Sequence, residues 1–429
     1  MSHKEDLLLF LPIFLISFIF YIDYGINLHG DGAFLYAYER SLFFDHDLNF
    51  TNEYYSSSEI YNRNLLYTYR LETFKTKTGY SANFGLIGMS LLVMPIYFLG
   101  HLFTLLINLF GASYPINGYS IPYQISFTFG SFFYGIVGIF IIYKTCRLFF
   151  NKTYSLLGTI STFLGTFILF YIIFNPSYSH AVSMFSVSLF FYFWVVYFLK
   201  DEKISFKRLA ILGILGGLMI MVRIVNGVFL ILPALTFIKL FRKTQKSSKY
   251  LTNLIIKISI FSIFLILTFI PQFISWYLIF GHPLAYIKYI MIITSEGTHI
   301  LEILFSFNHG LFTWSPLMII SLIGLYYLLK YNKEITIVLW LLFILVVYSN
   351  SRSAQWWAGA SFGMRRFDNM ILPFSLGAVS FINHFFRKTM KFKIIISILL
   401  LVFILFNFYL VYLCLNNIDS IFTCAGIPY

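Results

Sequence analysis

The chain has 429 residues, of which 59% are hydrophobic and only 11% are charged, and its mean hydropathy is +0.80. Soluble globular domains are much more polar, so composition excludes that class. The formal net charge of +13 would suit nucleic-acid binding, but the basic residues cluster in short segments between apolar runs. That distribution is typical of membrane proteins. We predict an all-α integral membrane protein that contacts membrane lipids and no nucleic acid.

Apolar runs of about 18–25 residues, long enough to cross a bilayer as helices, recur along the chain. The first, near residues 7–26, lacks a small-residue cleavage site and is expected to remain as an anchor. Ten more spans are predicted near 123–148, 154–174, 181–199, 208–222, 225–240, 254–279, 312–329, 335–349, 370–386 and 394–413. Residues 1–429 thus form a single transmembrane domain of about eleven helices.

Residues 84–110 are apolar but less regular. Several residues there interrupt a helix: Gly85, Gly88, Pro95, Gly100 and His101. We interpret 84–110 as an interfacial or re-entrant helix pair within a long first loop, 27–122. The N-terminus is then cytoplasmic, and most basic residues fall on the cytoplasmic side, as membrane orientation requires. A rival topology, in which 84–110 spans and the N-terminus is outside, moves only 27–83; charge alone mildly favours it.

The three cysteines, Cys146, Cys414 and Cys424, form no disulfide framework. Cys414 and Cys424 are close enough in sequence to pair. Three unpaired thiols are nevertheless expected.

Asp31 follows the first span directly, in the run His29-Gly30-Asp31-Gly32. An ionisable group at a membrane boundary is costly to place and is a functional candidate. Glycines on both sides let the backbone approach a ligand closely. Asp31 could instead cap a helix that begins at Gly32, because aspartate is a favoured N-cap residue. We favour a catalytic role.

Polar residues of varied chemistry gather in segments assigned to one face of the membrane: 29–80, 175–180, 280–316 and 350–369. The outer loops among them are 280–311 and 350–369. Loops on the other face hold basic residues and a few acids. A protein with its polar variety on one face is expected to work there.

Motifs in these segments resemble those of bacterial GT-C glycosyltransferases, relatives of the dolichyl-phosphate-mannose protein mannosyltransferases. The motifs are Gly30-Asp31-Gly32, Tyr36, Glu39-Arg40-Ser41-Leu42, Asp45-His46-Asp47-Leu48-Asn49-Phe50, Asn52-Glu53-Tyr54, Asn175-Pro176-Ser177-Tyr178-Ser179-His180-Ala181, His309-Gly310-Leu311-Phe312-Thr313-Trp314-Ser315-Pro316 and Ser361-Phe362-Gly363-Met364-Arg365-Arg366-Phe367. The likeness covers nearly the whole chain, in order. Gly32 stands where the mannosyltransferases have the second acid of an Asp-Glu pair, so the likeness does not indicate the acceptor.

The resemblance implies a GT-C-like helical bundle with interfacial helices in its first external loop and a polyprenyl-phosphate sugar as donor. It also implies a bacterial plasma-membrane enzyme with an extracytoplasmic site and a glycan, lipid or protein acceptor. Inverting transfer needs one base for the acceptor hydroxyl. The lipid-phosphate leaving group needs cationic donors more than a general acid.

These requirements assign roles to named residues. The catalytic candidates are Asp31 as general base, with Glu39, Asp45 and Asp47 as secondary candidates; phosphate binding is assigned to Arg365, Arg366, Arg223 and His180; sugar or acceptor binding is assigned to Trp356, Trp357, Tyr36 and His309. Simpler roles stay open: helix anchoring for Arg365 and Arg366, pairing with a loop acid for Arg223, and an interfacial belt for the tryptophans.

No cofactor is predicted. The spacing of Asp45 and Asp47 leaves a divalent metal site as the weaker alternative. Two other functions compete with glycosyl transfer. A polysaccharide polymerase or ligase would also handle lipid-linked glycans on this face, but it does not account for the acid-rich first loop. A transporter is less favoured, because the sequence shows no internal repeat.

Overall fold

The structure, a computed structural model, describes residues 3–26, 28, 30–60, 75–200, 204–244, 248–285, 297–359 and 361–416. These ranges contain helices and loops and no β-strand, apart from isolated bridging such as that of Lys75 with Ser81. The first loop and the outer segment 280–311 are described in part, because 61–74 and 286–296 lie outside these ranges.

The helices follow one another in a simple order. They are α1 (His3–Tyr24), α2 (Asp31–Arg40), α3 (Thr51–Ile60), α4 (Gly88–Leu109), α5 (Ile121–Arg147), α6 (Lys152–Leu164), α7 (His180–Trp194), α8 (Phe206–Val222), α9 (Ile231–Thr244), α10 (Ser248–Phe280), α11 (Ile300–Phe305), α12 (Leu311–Trp314), α13 (Leu317–Leu328), α14 (Lys333–Ser351), α15 (Ile371–Phe386) and α16 (Met390–Leu415). A π-helical turn at Phe170–Phe174 precedes α7, and 3-10 turns at Ile224–Leu230 and Arg365–Met370 precede α9 and α15.

Nine helical stretches in the described part of the chain are long and apolar enough to cross a membrane. They are Glu5–Tyr24, Gly88–Leu109, Ile121–Arg147, His180–Leu199, Ile224–Arg242, Ser248–Phe280, Lys333–Ser351, Arg365–Phe386 and Met390–Leu415. The predicted class, an all-α membrane protein, is confirmed. The predicted spans 154–174, 208–222 and 312–329 instead contain shorter helices, because α6 ends at Leu164 and α12 is separated from α13.

The predicted helix pair at 84–110 is wrong, because α4 is one continuous helix. Gly100 does not break it. A Cβ there would overlap the Ser126 hydroxyl of α5, so glycine permits close helix packing. The Pro95 ring is accommodated inside the helix. Gly100 therefore marks a contact between α4 and α5 and not a break in α4.

Helices α1 and α5 are antiparallel. At the start of α1, Asp6 accepts hydrogen bonds from Tyr143 and Lys144 at the end of α5, at 2.8 and 2.9 Å. Near the end of α1, Tyr21 bonds Thr128 in the first third of α5. The intervening segment therefore leaves and returns at the same end of this helix pair.

Contacts inside the first loop agree with that arrangement. The Arg40 guanidinium donates to the Asn117 carbonyl at 3.1 Å, and the Tyr36 hydroxyl donates to the Gly118 carbonyl. Both side chains belong to α2, so the residues before α4 touch the residues after it. The rival topology separates 27–83 from the residues that follow 110 by a membrane, and these contacts disfavour it.

Helix α15 lies at the centre of the bundle. In the span Arg365–Phe386, 83% of an apolar stretch of 18 residues is buried inside the protein, against 17% in α1 and 17% in α10. At Gly324 and Gly377 the backbones of α13 and α15 touch, since a Cβ on either glycine would overlap the other helix. The 3-10 turn that carries Arg365 lies at the start of this buried helix.

The cysteines depart from the expectation of three unpaired thiols. Cys414, near the end of α16, is disulfide-bonded. Cys146 is a free, buried cysteine. The expectation was wrong for Cys414.

Candidate active site

Asp31 and Arg365, which are 334 positions apart in the chain, form an ion pair. The Arg365 guanidinium donates to the Asp31 carboxylate at 2.7 Å. The Asp31 side chain is 60% exposed and that of Arg365 is 13% exposed. Desolvation is the largest single influence and raises the pKa of Asp31, but the charge and hydrogen bond of Arg365, together with the charges of His180 and Arg223, hold that pKa below its ordinary value of 3.8. Asp31 is therefore an ionised, solvent-accessible carboxylate beside a mostly buried cation.

The glycines around Asp31 serve contacts within the protein. Gly30 has a φ of +53°, a left-handed conformation that favours glycine, and a Cβ there would overlap the Tyr178 hydroxyl. A Cβ on Gly32 would overlap Ser177. The two glycines thus let the first loop lie directly on the 175–180 turn, rather than on a ligand.

Asp31 is not the N-cap of a helix beginning at Gly32. Helix α2 begins at Asp31 itself, Gly30 occupies the cap position, and no side chain caps the helix. The carboxylate is directed to Arg365 instead. The capping interpretation is wrong in its register.

Arg365 is held by contacts on several sides. Its Nε donates to the Ala358 carbonyl at 3.1 Å, and its guanidinium carbon lies 5.1 Å from the centre of the Tyr178 ring. The ring face attracts the cation. Residue Arg366 follows it, and its carbonyl accepts from the Asn350 amide at 3.3 Å. Arg365 is thus a positioned cation whose remaining partner is Asp31.

A second arginine is held beside the first by a carboxylate that the sequence interpretation did not single out. Arg223 donates to Asp368, and the same carboxylate oxygen lies 2.7 Å from His180 Nδ1. Arg223 also lies 2.6 Å from His180 Nδ1. Three elements therefore converge here: the end of α8, the start of α7 and the turn before α15.

Asp368 is completely buried, and its second carboxylate oxygen has no hydrogen-bond partner among the described residues. Burying a charge is costly unless a partner compensates it. The available signal was an acidic residue two positions after Arg366, at the end of the polar segment 350–369. The alternative that Arg223 pairs with a loop acid is confirmed, because Asp368 belongs to the segment 350–369, which was predicted to be a loop.

The predicted aromatic residues lie near Ala358, which accepts a hydrogen bond from Arg365. His309 Nδ1 is 2.7 Å from the Trp357 carbonyl. The rings of Trp356 and Trp357 pack edge to face, with their centres 5.7 Å apart. The ring of Trp356 also stacks against that of His299. The His309 ring thus contacts the backbone that carries the two tryptophans. Both tryptophan side chains are partly exposed.

Two predicted site residues are packed into the protein. Tyr36 is buried between α2, α4 and α5, with its hydroxyl on Gly118. Glu39 is fully buried, and neither of its carboxyl oxygens has a hydrogen-bond partner in the described ranges. Burial raises the pKa of Glu39 well above its ordinary value. A fully buried carboxyl whose charged form is disfavoured by burial is poorly suited to act as a base.

Asp45 and Asp47 have separate partners. Asp45 pairs with Arg40 and accepts from the Asn52 amide at 2.7 Å. Asp47 accepts from the Ser41 hydroxyl at 2.8 Å. Within the described ranges, no group of three or more His, Cys, Asp or Glu residues is arranged to hold a metal ion. The structure therefore places these acids in the fold of the first loop.

Arg40 also binds Glu53, at 2.7 Å, and so ties α2 to α3. Burial raises the pKa of Glu53 to about 7, and the hydrogen bond from Arg40 offsets this only in part. The folded protein therefore holds this proton more tightly than the unfolded chain, in which the ordinary pKa is 4.5. The stabilisation is complete below that ordinary pKa and is lost as the pH rises through the folded value.

Glu53→Gln should remove this contribution. We expect the wild-type protein to lose on the order of 2–3 kcal/mol of stability as pH rises from about 4.5 to about 7 through this group. Thermal unfolding in detergent across that range measures the slope. Glu334→Gln, which changes an exposed carboxylate paired with Lys239, is the matched control and should keep the wild-type slope. An unchanged slope in Glu53→Gln would contradict the prediction.

Comparison with known proteins adds no assignment: no protein-family model, no curated protein and no solved structure matches the chain.

Proposed function

We propose that the chain is an inverting glycosyltransferase that moves a sugar from a polyprenyl-phosphate donor to an acceptor hydroxyl at the extracytoplasmic face of the membrane. The observation that carries the proposal is the contact between Asp31 and Arg365. It joins an exposed, ionised carboxylate to a positioned cation at one end of a bundle of apolar helices. Such a pair supplies the two groups that the reaction needs.

The proposed roles follow from the geometry. Asp31 is the exposed carboxylate that takes the acceptor proton. Arg365, with Arg223 behind it, stabilises the phosphate that leaves with an added negative charge. The partly exposed rings of Trp356 and Trp357 stand on the backbone next to Ala358 and offer apolar faces to a sugar. The acceptor stays open among glycans, lipids and proteins, and no cofactor takes part in the proposed step.

Membrane orientation rests on two further observations. The Asn407 amide, in the C-terminal half of α16, donates to the carbonyls of Leu164 and Thr166 at the end of α6. The C-terminal half of α16 therefore lies beside the segment that leads to the 175–180 turn. Cys414 lies near that end of α16 and is disulfide-bonded, and disulfides persist in oxidising compartments. Both support an extracytoplasmic site and a cytoplasmic N-terminus, as in the bacterial plasma membrane that the resemblance implies.

Arg365→Ala should weaken the binding of a polyprenyl-phosphate sugar. A charged hydrogen bond to phosphate contributes about 1.5–3 kcal/mol, so we expect roughly a ten- to hundred-fold loss of affinity. Arg365→Lys should recover little of it where the contact is bidentate. The same loss is expected for Arg366→Ala. Titration of the purified protein in detergent measures the affinity. Unchanged affinity in both alanine variants would assign these arginines to helix anchoring and remove the main support for the proposal.

A further inference from the structure

The two arginines of the site have partners of opposite character. Asp368, the partner of Arg223, is 0% exposed and contacts His180 as well. Asp31, the partner of Arg365, is 60% exposed and makes its ion pair with an arginine that is 13% exposed. One pair is therefore enclosed by protein, whereas the other opens to solvent.

The charges of the group are already balanced. Two guanidinium groups, of Arg223 and Arg365, face two carboxylates, of Asp31 and Asp368. A phosphate that joined this group without displacing a carboxylate would bring an unpaired negative charge next to buried groups, which is costly. Binding of a phosphate is therefore favourable only if one carboxylate leaves.

Only one of the two carboxylates can leave at low cost. Asp368 would stay buried after losing Arg223, so its charge would remain uncompensated. The Asp31 side chain is 60% exposed, so solvent can reach its charge once Arg365 binds the phosphate. Phosphate is also a strong competitor for Arg365, because a phosphate can accept two parallel hydrogen bonds from one guanidinium. The contact with Asp31 is the hydrogen bond from Arg365 at 2.7 Å. Arg223 is thus the fixed cation and Arg365 the exchangeable one.

We propose that the donor phosphate replaces Asp31 on Arg365, and that this exchange releases Asp31 to act as the base. The proposal rests on the glycosyltransferase function proposed above. In the resting protein Asp31 is occupied by Arg365. The donor must therefore bind before the acceptor hydroxyl is deprotonated, which prescribes an ordered reaction.

The same exchange accounts for a full catalytic cycle. The freed Asp31 takes the proton of the acceptor hydroxyl, whose oxygen forms a bond to the anomeric carbon of the sugar. The bond from that carbon to the phosphate oxygen breaks, and its electron pair stays on the phosphate, which gains one negative charge. Arg365 holds the phosphate while Asp31 is protonated and neutral. When Asp31 returns its proton to solvent, it competes for Arg365 again and favours product release.

The test measures binding of decyl phosphate, a short-chain lipid phosphate, to the purified full-length protein in detergent. Asp31→Asn removes the competing carboxylate and should bind decyl phosphate about two- to five-fold more tightly than the wild type, in line with the small strength of exposed ion pairs. Arg365→Ala should bind it about ten-fold or more weakly. Asp23→Asn, which removes an exposed carboxylate from the last turn of α1, should leave the affinity unchanged.

A double variant separates exchange from general repulsion. If Asp31 competes for Arg365, Asp31→Asn should have no effect when Arg365 is alanine, whereas general repulsion would tighten binding in both backgrounds. Equal affinity of Asp31→Asn and wild type, or equal tightening in both backgrounds, overturns the exchange and leaves the glycosyltransferase proposal standing. Absence of binding to the folded wild-type protein overturns both.

Discussion

Asp31→Asn is expected to lower the rate of sugar transfer by about a hundred-fold or more, the usual contribution of general-base catalysis. Asparagine keeps the size of the side chain and can still accept a hydrogen bond from Arg365, but it cannot take a proton. Folding should be retained, because Asp31 is 60% exposed. The measurement is the initial rate of label transfer at saturating donor, with thermal unfolding as the check on folding.

Asp23→Asn is the matched control for that rate. It makes the same chemical change at an exposed position in the last turn of α1 and should keep wild-type activity. A folded Asp31→Asn protein with near-normal turnover would return Asp31 to a structural role. The search for a base would then turn to Asp45 and Asp47, since Glu39 is fully buried.

The second large effect is expected on stability, at Asp368. Asp368→Ala leaves the charge of Arg223 and the ring of His180 without their carboxylate partner. Breaking a buried ion pair from one side costs about 3–5 kcal/mol, and because Arg223 is 18% exposed we expect a value near the lower end. Unfolding of the purified protein by heat or denaturant in detergent measures the loss.

The comparison for Asp368→Ala is Asp31→Ala, which removes the other carboxylate of the same group. Asp31 is 60% exposed but Arg365 is only 13% exposed, so the loss should lie between that of an exposed pair and that of a buried pair. Asp368→Ala, which breaks up a group whose carboxylate is completely buried, should therefore lose more stability than Asp31→Ala, while both variants impair function. Equal stability of the two variants would mean that burial does not distinguish the two pairs, and the assignment of Arg223 as the fixed cation would be lost.

Much of the class and of the site could be predicted from sequence. Apolar runs of bilayer length are a direct consequence of the hydrophobic thickness of a membrane, so the membrane class followed from composition. Asp31 stood out because an ionisable group at a membrane boundary is costly to place, and His180, Arg223 and Arg365 were assigned because a lipid-phosphate leaving group needs cationic donors. The structure brings these four residues together, from segments far apart in the chain.

The missing parts depend on packing that no local pattern reveals. Asp368 lies at the end of the polar segment 350–369, and only the fold shows that it contacts Arg223 and His180. In the sequence Gly100 suggests a helix break, whereas in the structure it permits close contact with Ser126 of a neighbouring helix. The sequence suggests that the acids of the first loop form one polar group. In the structure Glu39 is buried and Asp45 forms an ion pair with Arg40. The contacts of Asp368 and Gly100 are with residues distant in sequence, and Glu39 is buried by the fold, so these features could not be anticipated; Asp45 and Arg40 are only five positions apart.

The central claim is tested most directly by donor consumption. Purified wild-type protein in liposomes would be given a panel of radiolabelled polyprenyl-phosphate sugars, and loss of label from the donor would be followed by chromatography with glycan, lipid and peptide acceptors present. The account predicts that at least one donor is consumed by the wild type and by Asp23→Asn, and that Asp31→Asn consumes it at a rate lower by about a hundred-fold or more. A folded wild-type protein that consumes no donor, or an Asp31→Asn protein that consumes one at the wild-type rate, would contradict it.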